Sequence, residues 1–325
     1  MMKYMKSQSA MEYLMTYGWA ILIIAVVLGV LFQLGVFGGA NLAPKAQPGS
    51  CQVEHTSVST SLEGMCQGEL PQYVAVFSPS PCCQATVPTS TSINTSWNGG
   101  NWSITAWFDA TQQLGTGVGR DLVEEDEGCT SGLWIDTPSS PATYYEVAGC
   151  AWWQPTGDTS SCQSGTIGSC EASTLQLPYN KWVFLAVTFN FSASTNGANQ
   201  LVCYNAQCQT FESSVPSGDA PTNYVKDDLV DRNLVFRLFD NGCCSTNTIS
   251  GDLANIQLYN ASLSQTEITG LYQEGIGGAP VRPQNLVGWW PMNSNLNDYS
   301  GNNNNGQPST GITYTGFWTS AYTAP

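Results

Sequence analysis

Basic residues are scarce in this chain. Nine Lys and Arg stand against 24 Asp and Glu, giving a formal charge of −15 over 325 residues. Nucleic acid and anionic lipid are held through clusters of Lys and Arg, so neither is an expected partner. The acid excess suits an exposed protein that must stay in solution. Histidine is nearly absent: His55 is the only one, and it lies outside every strand-like run, which argues against a Ser-His-Asp triad. No two cysteines stand in CxxC spacing, and with a single histidine a zinc site is not expected. No run recurs at a short fixed period, so the chain is not a solenoid. Only one apolar run is long.

That run carries no charge from Tyr13 to Pro44, and a helix of ~20 apolar residues crosses a hydrocarbon core. A secretory signal peptide has a shorter apolar stretch of about 7–15 residues, followed by a small-residue cleavage site. Here GGANLAPKAQPGS follows and reads as a hinge. Glu12 is the anomaly. A carboxylate in a spanning helix costs about 2.5–3.5 kcal/mol at the centre and less near an end, so it is expected to have a partner. The competing reading is a single-pass anchor whose Glu12 snorkels to the interface.

MMKYMKSQSAMEYL resembles the class III leader of archaeal type IV pilins, and the likeness covers roughly residues 1–37. In that family a prepilin peptidase cuts a short basic leader after a small residue, leaving Gln at the new N-terminus and Glu at its fifth position. Lys6, Ser7, Gln8 and Glu12 stand in that register; Ser7 departs from the more usual Gly or Ala. The resemblance implies cleavage before Gln8, insertion in the membrane, and later packing of the helix in a filament of identical subunits. The new α-amino group, with a pKa near ~8, is mostly cationic at neutral pH. Glu12 of one subunit can then face the terminus of a neighbour, since a desolvated charge is tolerable when paired.

Twelve cysteines follow the helix, an even number in a segment expected outside the cytosol, which reads as a disulfide framework. LVCYNAQCQT reads as a hairpin turning at Asn205 and Ala206. Cys203 and Cys208 then form a non-hydrogen-bonded pair with Cα atoms about 4.5 Å apart, within disulfide range. Cys162 and Cys170 are expected to close a Ser/Gly-rich loop. Cys82 and Cys83, like Cys243 and Cys244, are vicinal and point to opposite strand faces, so each seeks a different partner. Cys51, Cys66, Cys129 and Cys150 complete the set. Asn94, Asn101, Asn190 and Asn260 carry the glycosylation pattern; Asn190 and Asn260 stand at the ends of apolar runs.

Short runs separated by Gly, Asn, Pro and Ser fill the rest: QYVAVF, WSITAWF, KWVFLAVTF, LVCYNA, LVFRLF, ANIQLY and LVGWW. Their length and their Val, Phe, Tyr and Trp content predict strands of an antiparallel sandwich. Only LSQTEITGLYQEG has helical rhythm, with Ser264 and Glu267 spaced as a capping box. In order, WSITAWF, NKWVFLAVTFN, LVCYNA and GDLANIQLYNASLSQTEITGLYQEGI resemble strands of the laminin G / concanavalin A-like lectins, from about Gln72 to Ile276. NLVGWWPMNSNLNDYSGNNNNG resembles that family's opening strand and Asp-rich loop, yet comes last, which implies a circularly permuted jelly roll.

Relatives of that kind bind calcium beside a sugar. The resemblance places the ion at Asp298, with Asn302 and Asn304, whereas the second family Asp is Ala254 here and Asp252 stands two residues earlier. Oxygen-rich turns suit calcium; the alternative is a purely polar turn. EEDEG at Glu124–Gly128 reads as a solvated loop, with calcium second. A concanavalin-like glycoside hydrolase needs two placed carboxylates. Glu124 and Asp126 would share a strand face, but the further expected Glu is Gly128 or Cys129, so an enzyme is not expected. Trp152, Trp153, Trp289 and Trp290 read as core.

The expected organisation is a cleaved leader (1–7), a hydrophobic pilin or transmembrane helix (8–37) and a Gly/Pro linker (38–50). A disulfide-bearing segment (51–70) then leads into a laminin G-like sandwich (71–280), completed by a C-terminal strand and Asp/Asn loop (281–325). The expected function is a pilin-like subunit of a cell-surface filament, with a lectin-like head for adhesion or glycan binding. A membrane-anchored glycan-binding protein that does not polymerise is the second reading, and a glycoside hydrolase the third.

Overall fold

A computed structural model describes residues 8–33, 43–78, 84–97, 101–111, 120–125, 131–136, 144–155, 167–191, 197–214, 224–226, 233–239, 250–308 and 311–325. The chain divides into two compact units, Met1–Ala43 and Pro44–Pro325.

In the first unit, α1 (Gln8–Gln33) is a helix of 26 residues, about 39 Å long at 1.5 Å per residue. Its side chains are described from Tyr17 to Leu31; none is charged, and all from Tyr17 to Val30 are exposed. The apolar surface runs right round rather than forming a stripe, the pattern of a helix made to be covered on every side. Only residues 17–31 of α1 have described side chains, and among the described residues no helix is long and apolar enough to cross a membrane, which takes ~20 residues. Lys6, Ser7 and residues 34–37 lie outside the described residues, as do the side chains of Gln8 and Glu12.

The second unit opens with β1 (Lys45–Ala46), the hairpin β2 (Cys51–His55) and β3 (Thr60–Gly64), and β4 (Leu70–Pro71). β5 (Val74–Phe77), β6 (Gln84–Val87), the short helix α2 (Thr91–Trp97), β7 (Trp102–Ala110), β8 (Arg120–Glu125) and β9 (Gly132–Asp136) follow. Then come β10 (Tyr145–Pro155), β11 (Ile167–Leu177), β12 (Val183–Asn190), β13 (Gly197–Tyr204), β14 (Gln207–Ser214), β15 (Tyr224–Lys226) and β16 (Leu234–Phe239). β17 (Gly251–Tyr259), helix α3 (Gln265–Glu274), β18 (Leu286–Trp290), β19 (Gln307–Pro308) and β20 (Ile312–Thr315) complete it.

Two eight-stranded antiparallel sheets form a sandwich. One runs β11-β10-β9-β8-β16-β6-β19 with β15 on β10, the other β14-β13-β12-β7-β17-β5-β20 with β18 on β17. One core joins them: Ile104, Phe108, Leu185, Val187 and Leu253 of the second sheet meet Val123, Ile135, Val147, Leu234 and Phe236 of the first. β18, from the fragment that resembles an opening strand, lies beside β17, with Ile256 opposite Trp290. Trp289 and Trp290 are both buried; Trp290 meets Phe236 edge-on at 5.0 Å. Trp152 and Trp153 lie on β10, their side chains outside the described residues.

β7 shows how the sequence sorts its faces. Trp102, Ile104, Ala106, Phe108 and Ala110 enter the core, so by the two-residue period of a strand Ser103, Thr105, Trp107 and Asp109 point the other way. That outer face is also buried. The Ser103 hydroxyl donates to the Ala261 carbonyl at 2.7 Å, and Trp107 packs on Tyr272 of α3 and on Tyr322.

Two sequence expectations are corrected. Cys170 is bonded to Cys150 rather than to Cys162, because the β10–β11 ladder sets Cys150 directly opposite Cys170. Glu124 is no solvated acid: it is 1% exposed and ion-paired with Arg237, which also meets Asp121 at 2.9 Å. A buried charge needs such a partner. Disulfides also join Cys51 to Cys66 and Cys203 to Cys208, whose Cα atoms are 4.1 Å apart. Asn205, first of the two hairpin-loop residues, takes a φ of 53°, as such tight turns require. Cys82, Cys83, Cys129, Cys162, Cys243 and Cys244 lie outside the described residues, as does Asp126.

Candidate functional site

Asp298, Asn302 and Asn304 are brought together, but as a hydrogen-bonded knot. Asp298 Oδ1 accepts from the Trp289 and Ser300 N–H groups at 2.9 and 2.8 Å. Its Oδ2 accepts from the Ser300 hydroxyl at 2.8 Å and the Asn304 N–H at 2.9 Å. Asn302 Nδ2 donates to the Leu286 carbonyl at 2.9 Å. Asn304 Nδ2 donates to the Val287 carbonyl at 2.7 Å, while its Oδ1 accepts from the Ser90 hydroxyl at 2.6 Å. Burial pushes the Asp298 carboxyl above its ordinary range, and these donors offset that only in part. The oxygens that a calcium ion would need at Asp298 already receive hydrogens, so this set does not fit the ion that the resemblance implies.

Asp252 is elsewhere. It stands directly opposite Asp109 on the β7–β17 ladder, on the outer face of both strands. The two carboxylates line an open cleft of about 290 Å³ with Thr111, Asn180, Phe317, Trp318, Ser320 and Ala321. The cleft wall is fixed by backbone bonds: the Asn180 N–H donates to the Ala110 carbonyl at 2.9 Å, and the Trp182 N–H to the Ala321 carbonyl at 3.1 Å. Asn180 takes a φ of 51°, a left-handed conformation that Asn tolerates. Asp109 is 4% exposed and Asp252 9%. Burial raises the Asp109 carboxyl to about 6, against a lowering bond from the Lys181 backbone. Burial and the charge of Asp109 raise Asp252 to about 7. Asp109 went unnoticed in the sequence; the polar face Ser103, Thr105, Trp107, Asp109 was its signal, but the register that opposes it to Asp252 is not written locally.

A second, polar cleft of about 270 Å³ lies over β12 and β13, lined by Thr188, Asn190, Asn199, Gln200, Thr210 and Ser264 among others. Of the glycosylation candidates, Asn260 is exposed, its Oδ1 accepting from Asn285 at 3.0 Å. Asn190 is half-buried at the end of β12. Asn101 is half-buried, its Oδ1 accepting from the Phe191 N–H at 2.8 Å, and Asn94 sits half-buried in α2, accepting from the Thr89 hydroxyl at 2.9 Å. His55 is structural: its Nδ1 meets the Thr60 hydroxyl at 3.1 Å and its Nε2 the Ser300 carbonyl at 2.9 Å. Among the described residues, no three His, Cys, Asp or Glu side chains group as metal ligands.

No family model matches the chain, and no curated protein matches it by sequence. Solved structures resemble it remotely. A Bacteroides ovatus protein assigned by inference to carbohydrate binding is 11% identical, with 81% of this chain and 65% of that one covered and a TM-score of 0.49. The binding domain of Paraclostridial Mosquitocidal Protein 1 is 13% identical, with coverage of 70% and 46% and a TM-score of 0.41. The binding domain of a botulinum neurotoxin of serotype D/C is 13% identical, with coverage of 69% and 45% and a TM-score of 0.38. The chain thus spans less than two thirds of each. Likenesses this remote carry no argument about ligand or activity; the sandwich stands on its own ladders.

Proposed function

We propose that the chain is a pilin-like subunit of a surface filament, cleaved before Gln8, whose β-sandwich head serves adhesion. One observation carries the reading: α1 is apolar all round, and every side chain from Tyr17 to Val30 is exposed. A neighbouring copy or a membrane must cover such a surface, and Glu12 at its start marks the filament. In a filament a new terminal amine from a second subunit pairs with that carboxylate and offsets its desolvation, whereas in a lone anchor it is relieved only by snorkelling to the interface. The three disulfides among the described residues of the head suit an oxidising exterior. For glycans, the cleft over β12 and β13 supplies the hydroxyls and amides that orient a sugar in a shallow groove.

Mass spectrometry of the surface protein is expected to find Gln8 at the N-terminus, and Glu12→Gln is expected to be cleaved and inserted normally but to cut filament yield at least tenfold. Normal filaments from Glu12→Gln would overturn the pairing; a mature protein retaining Met1 would leave the single-pass anchor. On a glycan array, Asn199→Ala and Thr210→Ala are expected to lose the wild-type signal. A blank wild-type array would make the head a structural coat.

A further inference from the structure

We propose that Asp109 and Asp252, opposed across the β7–β17 ladder, bind one calcium ion with neutral oxygens of the cleft and water completing its shell. Like charges directly opposite on a ladder destabilise a sheet, yet here the register sets two carboxylates face to face. Asp109 lines the cleft and is more than nine-tenths buried, and among the described residues its Oδ1 has no hydrogen-bond partner. A buried acceptor left unmet is costly, and a cation satisfies it. Among the described residues, no Lys or Arg lines the cleft. Lys45 is placed instead over the Trp318 ring, 5.7 Å from its centroid, and Lys181 reaches Asp109 through its backbone. Burial raises both carboxyls, and the charge of Asp109 raises Asp252 further.

The donor chemistry selects the ion. Among the described residues, the side-chain ligands the cleft offers are the carboxylates, the Asn180 amide and the Thr111 and Ser320 hydroxyls, with no imidazole and no sulfur. Oxygen sets of this kind take calcium or magnesium, and an open site with room for several waters suits the larger ion with its six to eight ligands. Two carboxylates are a low ligand charge, so the affinity expected is that of extracellular modules, Kd ~10⁻⁴–10⁻³ M. The site is separate from α1 and from the cleft over β12 and β13, and does not rest on the filament reading.

The test is calorimetric titration of calcium chloride into the chelator-stripped full-length protein, paired with melting in calcium and in chelator. Saturable single-site binding and a calcium-dependent rise in Tm are expected in the wild type. Asp109→Asn and Asp252→Asn should each weaken binding at least tenfold and abolish the rise. In chelator both variants should melt at or above the wild type, since each removes one of two opposed charges. No saturable heat in the wild type, or undiminished binding in the double variant, overturns the proposal. So does a variant that melts below the wild type in chelator, because the protein itself would then be compensating the carboxylates.

Discussion

At the scale of single residues, the most consequential side chain of the C-terminal loop is Asp298. Its four donors come from Trp289 on β18 and from Ser300 and Asn304 in the loop itself. Removing one acceptor orphans them all, and each buried donor left unmet costs ~1–3 kcal/mol. Asp298→Ala is therefore expected to lower stability by more than about 3 kcal/mol, read as an earlier denaturant midpoint, equally in calcium and in chelator. A loss confined to calcium buffer would return the ion to this loop. The grouping of Asp298, Asn302 and Asn304 is legible because seven consecutive residues hold it. Its role is not: the sequence does not say that the Ser90 hydroxyl will meet Asn304 from 214 residues away.

Among elements, what is local is what can be read. The β13–β14 hairpin is set by its turn, and Cys203 opposite Cys208 follows from counting outward. Helix α3 likewise announces its start. The Ser264 N–H donates to Glu267, and the Glu267 N–H to the Ser264 hydroxyl. Cys170 is the counterexample, because which strand lies beside β11 is decided by the whole sheet. Non-reducing peptide mapping is expected to find Cys150 joined to Cys170 and Cys51 to Cys66.

The α3 cap also predicts a pH dependence. Burial raises the Glu267 carboxyl, but the Ser264 N–H and hydroxyl and the Arg282 guanidinium more than reverse this and hold it below its ordinary value. A carboxyl lowered on folding stabilises above its unfolded pKa, and the gain is lost as pH falls through the folded value. Glu267→Gln should therefore cost about 0.3–1 kcal/mol at pH 7 and little at pH 3. Thermal melts at the two values check this, and an equal deficit at both would refute it.

Across the whole molecule, the segment after β20 acts as a latch. Trp318 and Tyr322 are buried. The Trp182 indole donates to the Trp318 carbonyl at 3.2 Å, and the Ile276 N–H donates to the Tyr322 hydroxyl at 3.2 Å. Truncation after Gly316 should remove at least about 6 kcal/mol, the burial of two aromatics plus three orphaned donors, the third being the Trp182 N–H that meets the Ala321 carbonyl, visible as a fall in Tm. Fold class was legible because alternation within strands is a local signal, while strand order was not.

The late strands bear on time as well as on stability. β20 pairs with β5, β19 with β6 and β18 with β17, and His55 reaches Ser300 across 245 residues. Neither sheet is complete until the final strands, which sit at or beside its edge, have been made. Closing contacts so distant along a chain is slow. The described disulfides span only 5, 15 and 20 residues, so oxidation can staple each hairpin while the rest is still in transit. Covalent order can then precede tertiary order: wherever oxidation takes place, the staples can close before the sheets are complete.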